Sequence, residues 1–287
     1  AMAIIEAGAI PVLVDSDPET WIMRAQDVEN KITSKTKAIM AVHIYGHPVD
    51  MDIIFDLSEK YGLSVIEDAA EAHGAEYKGQ KCGGLGDISI MSFYANKLVT
   101  TGEGGMILTS NHEHAEKARS LRNMCFLPEE RFLHKELGHN YRLSNIQAAI
   151  GVAQLERLEQ FVSRKREMAR MYNDGLKGLP LNLSVEKPWA KNIYWMYAVV
   201  LDDLVNIEAK EFAKLLLKKG VETRPFFRGM HEQPVFHKMG LFKDEKYPIT
   251  EKIYRRGFYL PSGQAITDYQ IESVCNAMNN IFKELKG

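Results

Sequence analysis

Runs of apolar residues separated by an amphipathic segment mark the first third of the chain. Residues 37–45 (KAIMAVHIY) form a continuous apolar run, which is typical of a strand buried on both faces of a sheet. In residues 50–62 apolar side chains recur at helical spacing, and Gly62 follows them as a helix stop. Residues 63–68 (LSVIED) form the next apolar run. This order predicts two parallel strands joined by a right-handed crossover.

The alternation continues beyond this unit. Residues 87–94 and 104–110 are apolar enough to predict two more strands. Ser144 and Gln147 have the spacing of a capping box, which predicts a long helix from Asn145 onward.

A second α/β region follows the long helix. Its pattern predicts a strand, a helix, a second strand and a closing helix, at residues 192–201, 206–220, 221–227 and 267–285. We predict a large domain at residues 1–165 and a small C-terminal α/β domain at residues 166–287. The opening AMAIIEAG resembles the end of a helix, so we expect an N-terminal part of the large domain to lie upstream of residue 1.

Composition and charge exclude several classes of protein. Of the 287 residues, 45% are hydrophobic and 26% charged, which is ordinary for a globular protein. The net charge of −2 gives no electrostatic reason to bind nucleic acid or an anionic membrane, and no apolar run reaches the roughly 20 residues of a membrane span. The three cysteines are scattered and suggest no disulfide framework, so we expect a cytoplasmic protein.

An acid and a lysine follow two neighbouring predicted strands. Alone, Asp68 reads equally well as the N-cap of a short helix, and Lys97 reads as a surface loop residue. Together with Ser92 and the glycine-rich turn TTGEGG, they suit pyridoxal phosphate chemistry. The lysine forms a Schiff base, the acid pairs with the ring nitrogen, and the hydroxyl helps to hold the phosphate.

Five segments together resemble one enzyme family. EDAAEAHG, GDISIMSFYANK, TTGEGGM, NYRLSNIQAAIGVAQLE and RPFF occur in this order, and they resemble the DegT/DnrJ/EryC1/StrS sugar aminotransferases from residue 8 onward. The resemblance implies fold type I of the pyridoxal phosphate-dependent enzymes, with a mostly parallel central sheet flanked by helices. It also implies that the phosphate loop and the ring-stacking aromatic residue of the family precede residue 1.

The resemblance assigns roles residue by residue. Lys97 matches the Schiff-base lysine, and Asp68 matches the partner of the ring nitrogen. Glu71 matches the residue that binds the ring hydroxyl, where the family often has glutamine, and Ser92 matches the phosphate-binding hydroxyl. Asn140 matches an asparagine that reaches the phosphate of a neighbouring subunit, which implies a homodimer with composite sites.

The resemblance also implies the reaction. L-Glutamate donates an amino group, giving pyridoxamine 5'-phosphate, which then aminates a keto group of a nucleotide-linked deoxysugar. GDP-4-keto-6-deoxymannose is the favoured acceptor; a uridine or thymidine diphosphate sugar, or amination at C3, stays open as an alternative. A non-catalytic relative is a further alternative. A dehydratase branch has histidine at the position of Lys97, so the lysine argues against dehydration.

Further residues are weaker candidates. His43, His231 and Arg224 are candidate substrate contacts, although packing at a strand end or turn explains them as well. His43, His47 and His73 lack the spacing of a metal site, so no metal is predicted.

Two segments are assigned structural roles. Trp195 and Tyr197 are interpreted as core of the small domain. The polar run at residues 163–167 (SRKRE) is interpreted as a solvated helix face.

Overall fold

The computed structural model describes residues 1–285. The strands of this part are, in chain order, β1 (Ala38–Val42), β2 (Ser64–Asp68), β3 (Glu76–Tyr77), β4 (Gln80–Lys81), β5 (Ile88–Ser92), β6 (Gly105–Leu108), β7 (Leu181–Leu183), β8 (Ala190–Lys191), β9 (Tyr197–Leu201), β10 (Arg224–Pro225) and β11 (Gly257–Leu260). The helices are α1 (Met2–Glu6), α2 (Met51–Tyr61), α3 (His112–Arg122), α4 (Asn145–Leu155), α5 (Leu158–Leu176), α6 (Ala209–Lys218), α7 (Pro234–Lys238), α8 (Pro248–Arg256) and α9 (Asp268–Glu284).

The chain divides into two compact units. The first, here called the parallel-sheet unit, consists of Lys37–Val162 and Trp189–Trp195. The second, the antiparallel-sheet unit, consists of Ala1–Thr36, Ser163–Pro188 and the described residues from Met196 onward. The division into domains at residues 165 and 166 stays a prediction.

The parallel-sheet unit is built on a four-stranded sheet in the order β1-β2-β5-β6. The pairs β1–β2 and β2–β5 are parallel, and β5–β6 is antiparallel, so the prediction of a mostly parallel central sheet is confirmed. Helix α2 connects β1 to β2 and ends at Gly62, whose φ of 64° is left-handed. Glycine adopts this conformation without the steric cost of a Cβ atom, which explains why the helix stops there.

Helix α4 begins where the sequence predicts. The side chain of Ser144 accepts a hydrogen bond from the backbone N–H of Gln147, and the Gln147 side chain accepts from the backbone N–H of Ser144. This reciprocal arrangement is the predicted capping box. Gln147 also donates to the carbonyl of Glu103, 2.9 Å away, so the start of α4 is attached to the glycine-rich turn that follows Lys97.

The antiparallel-sheet unit contains a second four-stranded sheet, in the order β10-β11-β9-β7. Strand β9 is buried along its whole length. Three aromatic rings from α6, β11 and α9 pack together, with ring centroids 5.6 Å apart for Phe212–Phe258 and 4.8 Å apart for Phe212–Phe282. These contacts pack α6 and α9 together with β11, as expected for an α/β unit.

Two predicted strands are shorter in the structure. The strand predicted at residues 192–201 begins only at Tyr197, because Tyr194 has a φ of 49°, which a strand does not allow. The strand predicted at residues 221–227 is reduced to Arg224–Pro225. A proline has no N–H to continue a ladder, which limits pairing at this edge.

The interpretation of residues 163–167 as a solvated helix face is wrong at Lys165. This side chain is buried and donates a hydrogen bond to the carbonyl of Ser262. Burial lowers the pKa of Lys165 from 10.5 to about 7.

In the described part of the chain, no helix is both long and apolar enough to span a bilayer.

Candidate active site

Two candidate residues lie at neighbouring strand ends of the parallel-sheet unit. Asp68 ends β2 and Ser92 ends β5, and these strands run parallel, with Asp68 opposite Ile90. Residues 69–75 form turns and not a helix, so the alternative interpretation of Asp68 as a helix cap is wrong. Its carboxylate accepts the backbone N–H of Ala70 at 3.1 Å. The carboxyl edge of a parallel sheet is where α/β proteins bind ligands.

Lys97 and Glu71 form an ion pair at this edge. Nζ of Lys97 donates to Oε1 of Glu71 at 3.1 Å, and the two side chains are only 12% and 14% exposed. Burial raises the pKa of Glu71, and the negative charge of Asp68 acts in the same direction. The positive charge of Lys97 opposes this effect. The charges of Lys97 and Asp68 therefore both act on the carboxyl group of Glu71.

Trp195 also contacts Lys97, which the sequence interpretation misses. The structure assigns Trp195 to the parallel-sheet unit and places its ring centroid 4.2 Å from Nζ of Lys97. The interpretation of Trp195 as core of the small domain is therefore wrong, whereas Tyr197 is fully buried in the antiparallel-sheet unit. Periodicity gives no signal for Trp195, because it lies in an irregular segment between β8 and β9.

Glu67, the residue before Asp68, is fully buried and points to the opposite side of β2. Its carboxylate accepts hydrogen bonds from the Ser89 hydroxyl at 2.7 Å and from the Leu85 N–H at 2.9 Å. It also accepts from the N–H groups of Gly83 and Gly86. These bonds attach the turn before β5 to the strand that ends at Asp68.

His43 is buried within the same hydrogen-bond network. Its Nε2 lies 3.0 Å from Oε1 of Glu67, and its Nδ1 accepts the N–H of Val49 at 3.1 Å. Neither ring nitrogen of this candidate is left to bind a substrate. His43, Glu67 and Cys82 place one potential metal ligand each within 4.8 Å of one another. N–H and O–H donors already occupy the oxygens of Glu67.

His73 is buried and only 3% exposed. Both of its ring nitrogens lack a hydrogen-bond partner within the described structure, and its ring centroid is 5.5 Å from that of Phe93. Burial lowers the pKa of His73 from 6.5 to about 4, and the charge of Lys97 adds to this effect. His73 is thus a neutral ring at physiological pH.

The remaining candidates form contacts of their own. Asn140 is exposed in the parallel-sheet unit, and its side-chain oxygen accepts from Arg142 at 3.0 Å. His231 and Arg224 belong to the antiparallel-sheet unit. His231 is buried with its Nε2 3.2 Å from Glu251. Arg224 is exposed and forms an ion pair of 3.0 Å with Glu222.

Comparison with known families identifies the chain. A model of the DegT/DnrJ/EryC1/StrS aminotransferase family matches residues 1–279. The chain belongs to the DegT/DnrJ/EryC1/StrS aminotransferase family. This confirms the resemblance that the five sequence segments indicate.

Two curated relatives of this family are similar over almost the whole chain. GDP-perosamine synthase of Escherichia coli O157:H7 is 41% identical over 282 residues, covering 98% of this chain and 76% of the relative. GDP-perosamine synthase of Caulobacter vibrioides is 39% identical over 285 residues, covering 98% of this chain and 76% of the relative.

A solved structure shares the fold. The crystal structure of S. venezuelae DesV in complex with a ketimine intermediate superimposes with a TM-score of 0.90 at 31% identity. The match covers 98% of this chain and 75% of DesV. The prediction of fold type I is therefore confirmed.

Enzymes of the DegT/DnrJ/EryC1/StrS family depend on pyridoxal 5'-phosphate, which is thus the cofactor of this chain. The residues at the sheet edge fit the cofactor chemically. A buried amine (Lys97), a carboxylate at a strand end (Asp68) and a hydroxyl at the next strand end (Ser92) are the donors and acceptors that the cofactor needs.

The raised pKa of Glu71 predicts a pH dependence. As the pH falls through this raised value, Glu71 takes up a proton and Lys97 loses a negative partner. We expect kcat/KM to decline on this acid side. We expect Glu71→Gln to remove that decline and to retain neutral-pH activity within about tenfold, the cost of one charge-assisted hydrogen bond. A pH–rate profile of both proteins measures this, and an unchanged acid limb in Glu71→Gln would contradict it.

Proposed function

We propose that the chain transfers the amino group of L-glutamate to the 4-keto group of GDP-4-keto-6-deoxymannose, giving GDP-perosamine for a surface polysaccharide. The observation that carries this proposal is the cluster of Lys97, Glu71 and Asp68 at the sheet edge of a chain 41% identical to a GDP-perosamine synthase. A lysine in this position supports amino transfer, since transamination requires an amine that both binds the cofactor and moves protons.

Each residue of the cluster has a part in this proposal. When bound, pyridoxal phosphate would supply an electron sink for the reacting carbon and would hold the amino group between donor and acceptor. Lys97 would hold the cofactor through Nζ, and its free amine would move a proton between the nitrogen-bearing carbon of the substrate and the cofactor. Asp68 would keep a proton on the ring nitrogen, Glu71 would bind the ring hydroxyl, and Ser92 would bind the phosphate.

An amination assay tests the substrate. Purified enzyme loaded with cofactor is incubated with L-glutamate and one acceptor sugar in each reaction. The acceptors are GDP-4-keto-6-deoxymannose and keto-deoxysugars linked to uridine or thymidine diphosphate. We expect transfer to the GDP-linked sugar, with 2-oxoglutarate formed in equal amount. Transfer only to a uridine- or thymidine-linked sugar would contradict the GDP assignment, and transfer to none would contradict the aminotransferase proposal.

We also propose that two copies of the chain share their sites, with Asn140 reaching the phosphate of the neighbouring subunit. Support comes from large apolar side chains that the parallel-sheet unit exposes on β6, on α4 and beside Asn140. They are Met106, Ile107, Tyr141, Ile146, Ile150, Val152 and Leu155. An exposed group of apolar side chains of this size is typical of a protein–protein interface.

The dimer proposal predicts the effect of a charge on α4. Ile146 is 77% exposed, so an aspartate there does not disturb the core. We expect Ile146→Asp to convert the dimer to a monomer in sedimentation velocity and to lower activity, because a buried unpaired charge is costly at an interface. Leu204→Asp is the matched control, since Leu204 is 84% exposed in the other unit. A wild-type monomer would contradict the dimer, and a dimeric Ile146→Asp variant would contradict this interface.

A further inference from the structure

The indole ring of Trp195 lies against the amine of Lys97. Nζ is 4.2 Å from the ring centroid, well inside the roughly 6 Å range of cation–π attraction. Trp195 is 4% exposed and the Lys97 side chain 12%, so little water competes for the ammonium. A cation–π contact strengthens as its cation is desolvated, which makes this one favourable.

Trp195 also holds the backbone beside Lys97. Its indole N–H donates to the carbonyl of Asn96 at 3.0 Å, and Asn96 directly precedes Lys97. One side chain therefore contacts both the base and the tip of the lysine. A lysine stem is long and has many rotamers, so contact at both ends restricts the direction in which Nζ points.

Tyr45 connects Trp195 to the other partner of Lys97. The rings of Tyr45 and Trp195 are stacked, with centroids 6.4 Å apart and an interplanar angle of 14°. The backbone N–H of Tyr45 donates to Oε2 of Glu71 at 2.9 Å, while Oε1 accepts from Lys97. Trp195, Lys97, Glu71 and Tyr45 thus form a closed chain of contacts, here called the lysine clamp.

The backbone on both sides of the clamp is constrained. Tyr45 and Tyr194 have φ values of 57° and 49°, which non-glycine residues rarely adopt. The carbonyl of Gly46 accepts the N–H of Ile193 at 3.2 Å. A Cβ atom on Gly46 would lie 2.6 Å from Cγ1 of Ile193 and 3.0 Å from the backbone nitrogen of Trp195. Such strained, close-packed backbone persists only where the surroundings determine it.

Trp195 lies in a short segment that joins the parallel-sheet unit apart from its neighbours in the chain. Residues on either side of Trp189–Trp195 belong to the antiparallel-sheet unit, whereas these seven residues belong to the parallel-sheet unit. Strand β8 attaches this segment by pairing with β3, and Trp195 stands at its end.

We propose that Trp195 is a positioning residue for the amino-transfer reaction: it fixes the direction of the Lys97 amine and stabilises positive charge on that nitrogen. This inference rests on the proposed function, since it assigns to Trp195 a task in the chemistry of Lys97. A role in core packing alone would stabilise the fold without affecting the charge on the lysine nitrogen.

The test uses Trp195→Phe and Trp195→Ala in the cofactor-loaded enzyme. The visible absorbance of the bound cofactor is titrated with pH, because its midpoint reports how well positive charge on the lysine nitrogen is stabilised. In Trp195→Ala we expect the midpoint to fall by about 0.5 to 1 pH unit, as for loss of a cation–π contact. In Trp195→Phe we expect a smaller fall, since phenylalanine keeps a ring face and loses the indole N–H.

Steady-state kinetics adds a second measurement. We expect kcat to fall about 10- to 100-fold in Trp195→Ala, since misplacement of a reacting group by about 1 Å has an effect of this order. We expect the KM values for glutamate and for the nucleotide sugar to stay within about twofold, because Trp195 acts through Lys97. Trp189→Phe is the matched control in the same unit, and its midpoint and kcat should equal those of wild type.

The outcomes separate this inference from the proposed function. An unchanged midpoint in both Trp195 variants, or higher KM values with kcat unchanged, would overturn the positioning role. Thermal unfolding of the cofactor-free variants shows whether either of them folds poorly. If Trp195→Ala does, the titration midpoint of Trp195→Phe decides whether Trp195 positions Lys97. If wild type transfers no amino group but the Trp195 variants still show the expected fall in midpoint, the proposed function would be contradicted and the positioning of Lys97 would be supported.

Discussion

Replacing Lys97 with alanine should reduce amino transfer at least about 10³-fold, because it removes the amine that holds the cofactor and moves the substrate proton. The purified variant should also lose the visible absorbance that wild type shows when its cofactor is bound to the lysine. A coupled assay of 2-oxoglutarate formation and an absorbance spectrum measure the two effects. Both follow from one atom, Nζ, which lies 3.1 Å from Glu71.

Two comparisons separate chemistry from packing at Lys97. Lys97→Arg retains the positive charge beside Glu71 and Trp195, yet a guanidinium stays protonated and cannot act as a base. We expect this variant to be as inactive as Lys97→Ala and to fold like wild type. A small amine such as methylamine should partly restore proton transfer in Lys97→Ala. Turnover of Lys97→Ala within tenfold of wild type would contradict a catalytic role for the lysine.

The sequence predicts the core of the site because that core follows regular structure. Asp68 and Ser92 lie at the ends of apolar runs, and parallel strands bring such ends to one edge of a sheet. Lys97 follows one of these strands within five residues. Hydrophobic periodicity together with a glycine-rich turn therefore predicts where these three residues lie along the chain, whereas their roles stay a prediction from the family resemblance.

The residues that surround Lys97 are not predictable in this way. Tyr45 and Trp195 lie in irregular segments 150 positions apart, and each segment contains a residue with positive φ. No periodic pattern indicates such backbone. Their contact depends on Gly46, whose missing Cβ lets the two segments approach. Tertiary packing alone determines this part of the site.

We expect the buried carboxylate of Glu67 to contribute strongly to the stability of the sheet edge. Five donors converge on it, from His43, Ser89 and the backbone of residues 83–86. Replacing Glu67 with alanine leaves these donors buried without an acceptor, which we expect to cost about 3 to 5 kcal/mol of unfolding free energy. Glu67→Gln retains one acceptor oxygen and should lose less. Urea unfolding at neutral pH measures both variants.

The same network predicts how stability depends on pH. Burial by itself would raise the pKa of Glu67, but hydrogen bonds from His43, the Gly83 N–H and Ser89 outweigh it and lower the pKa from 4.5 to about 2. A carboxyl group with a depressed pKa stabilises the fold above its unfolded pKa, so this contribution, about 3 kcal/mol, is lost as the pH falls from about 4.5 to about 2. Glu67→Gln lacks the ionisable group, so its unfolding free energy should fall less over this interval. The unfolding free energy of wild type and Glu67→Gln is measured between about pH 4.5 and about pH 2. An equal fall in the two proteins would show that Glu67 does not cause the pH dependence.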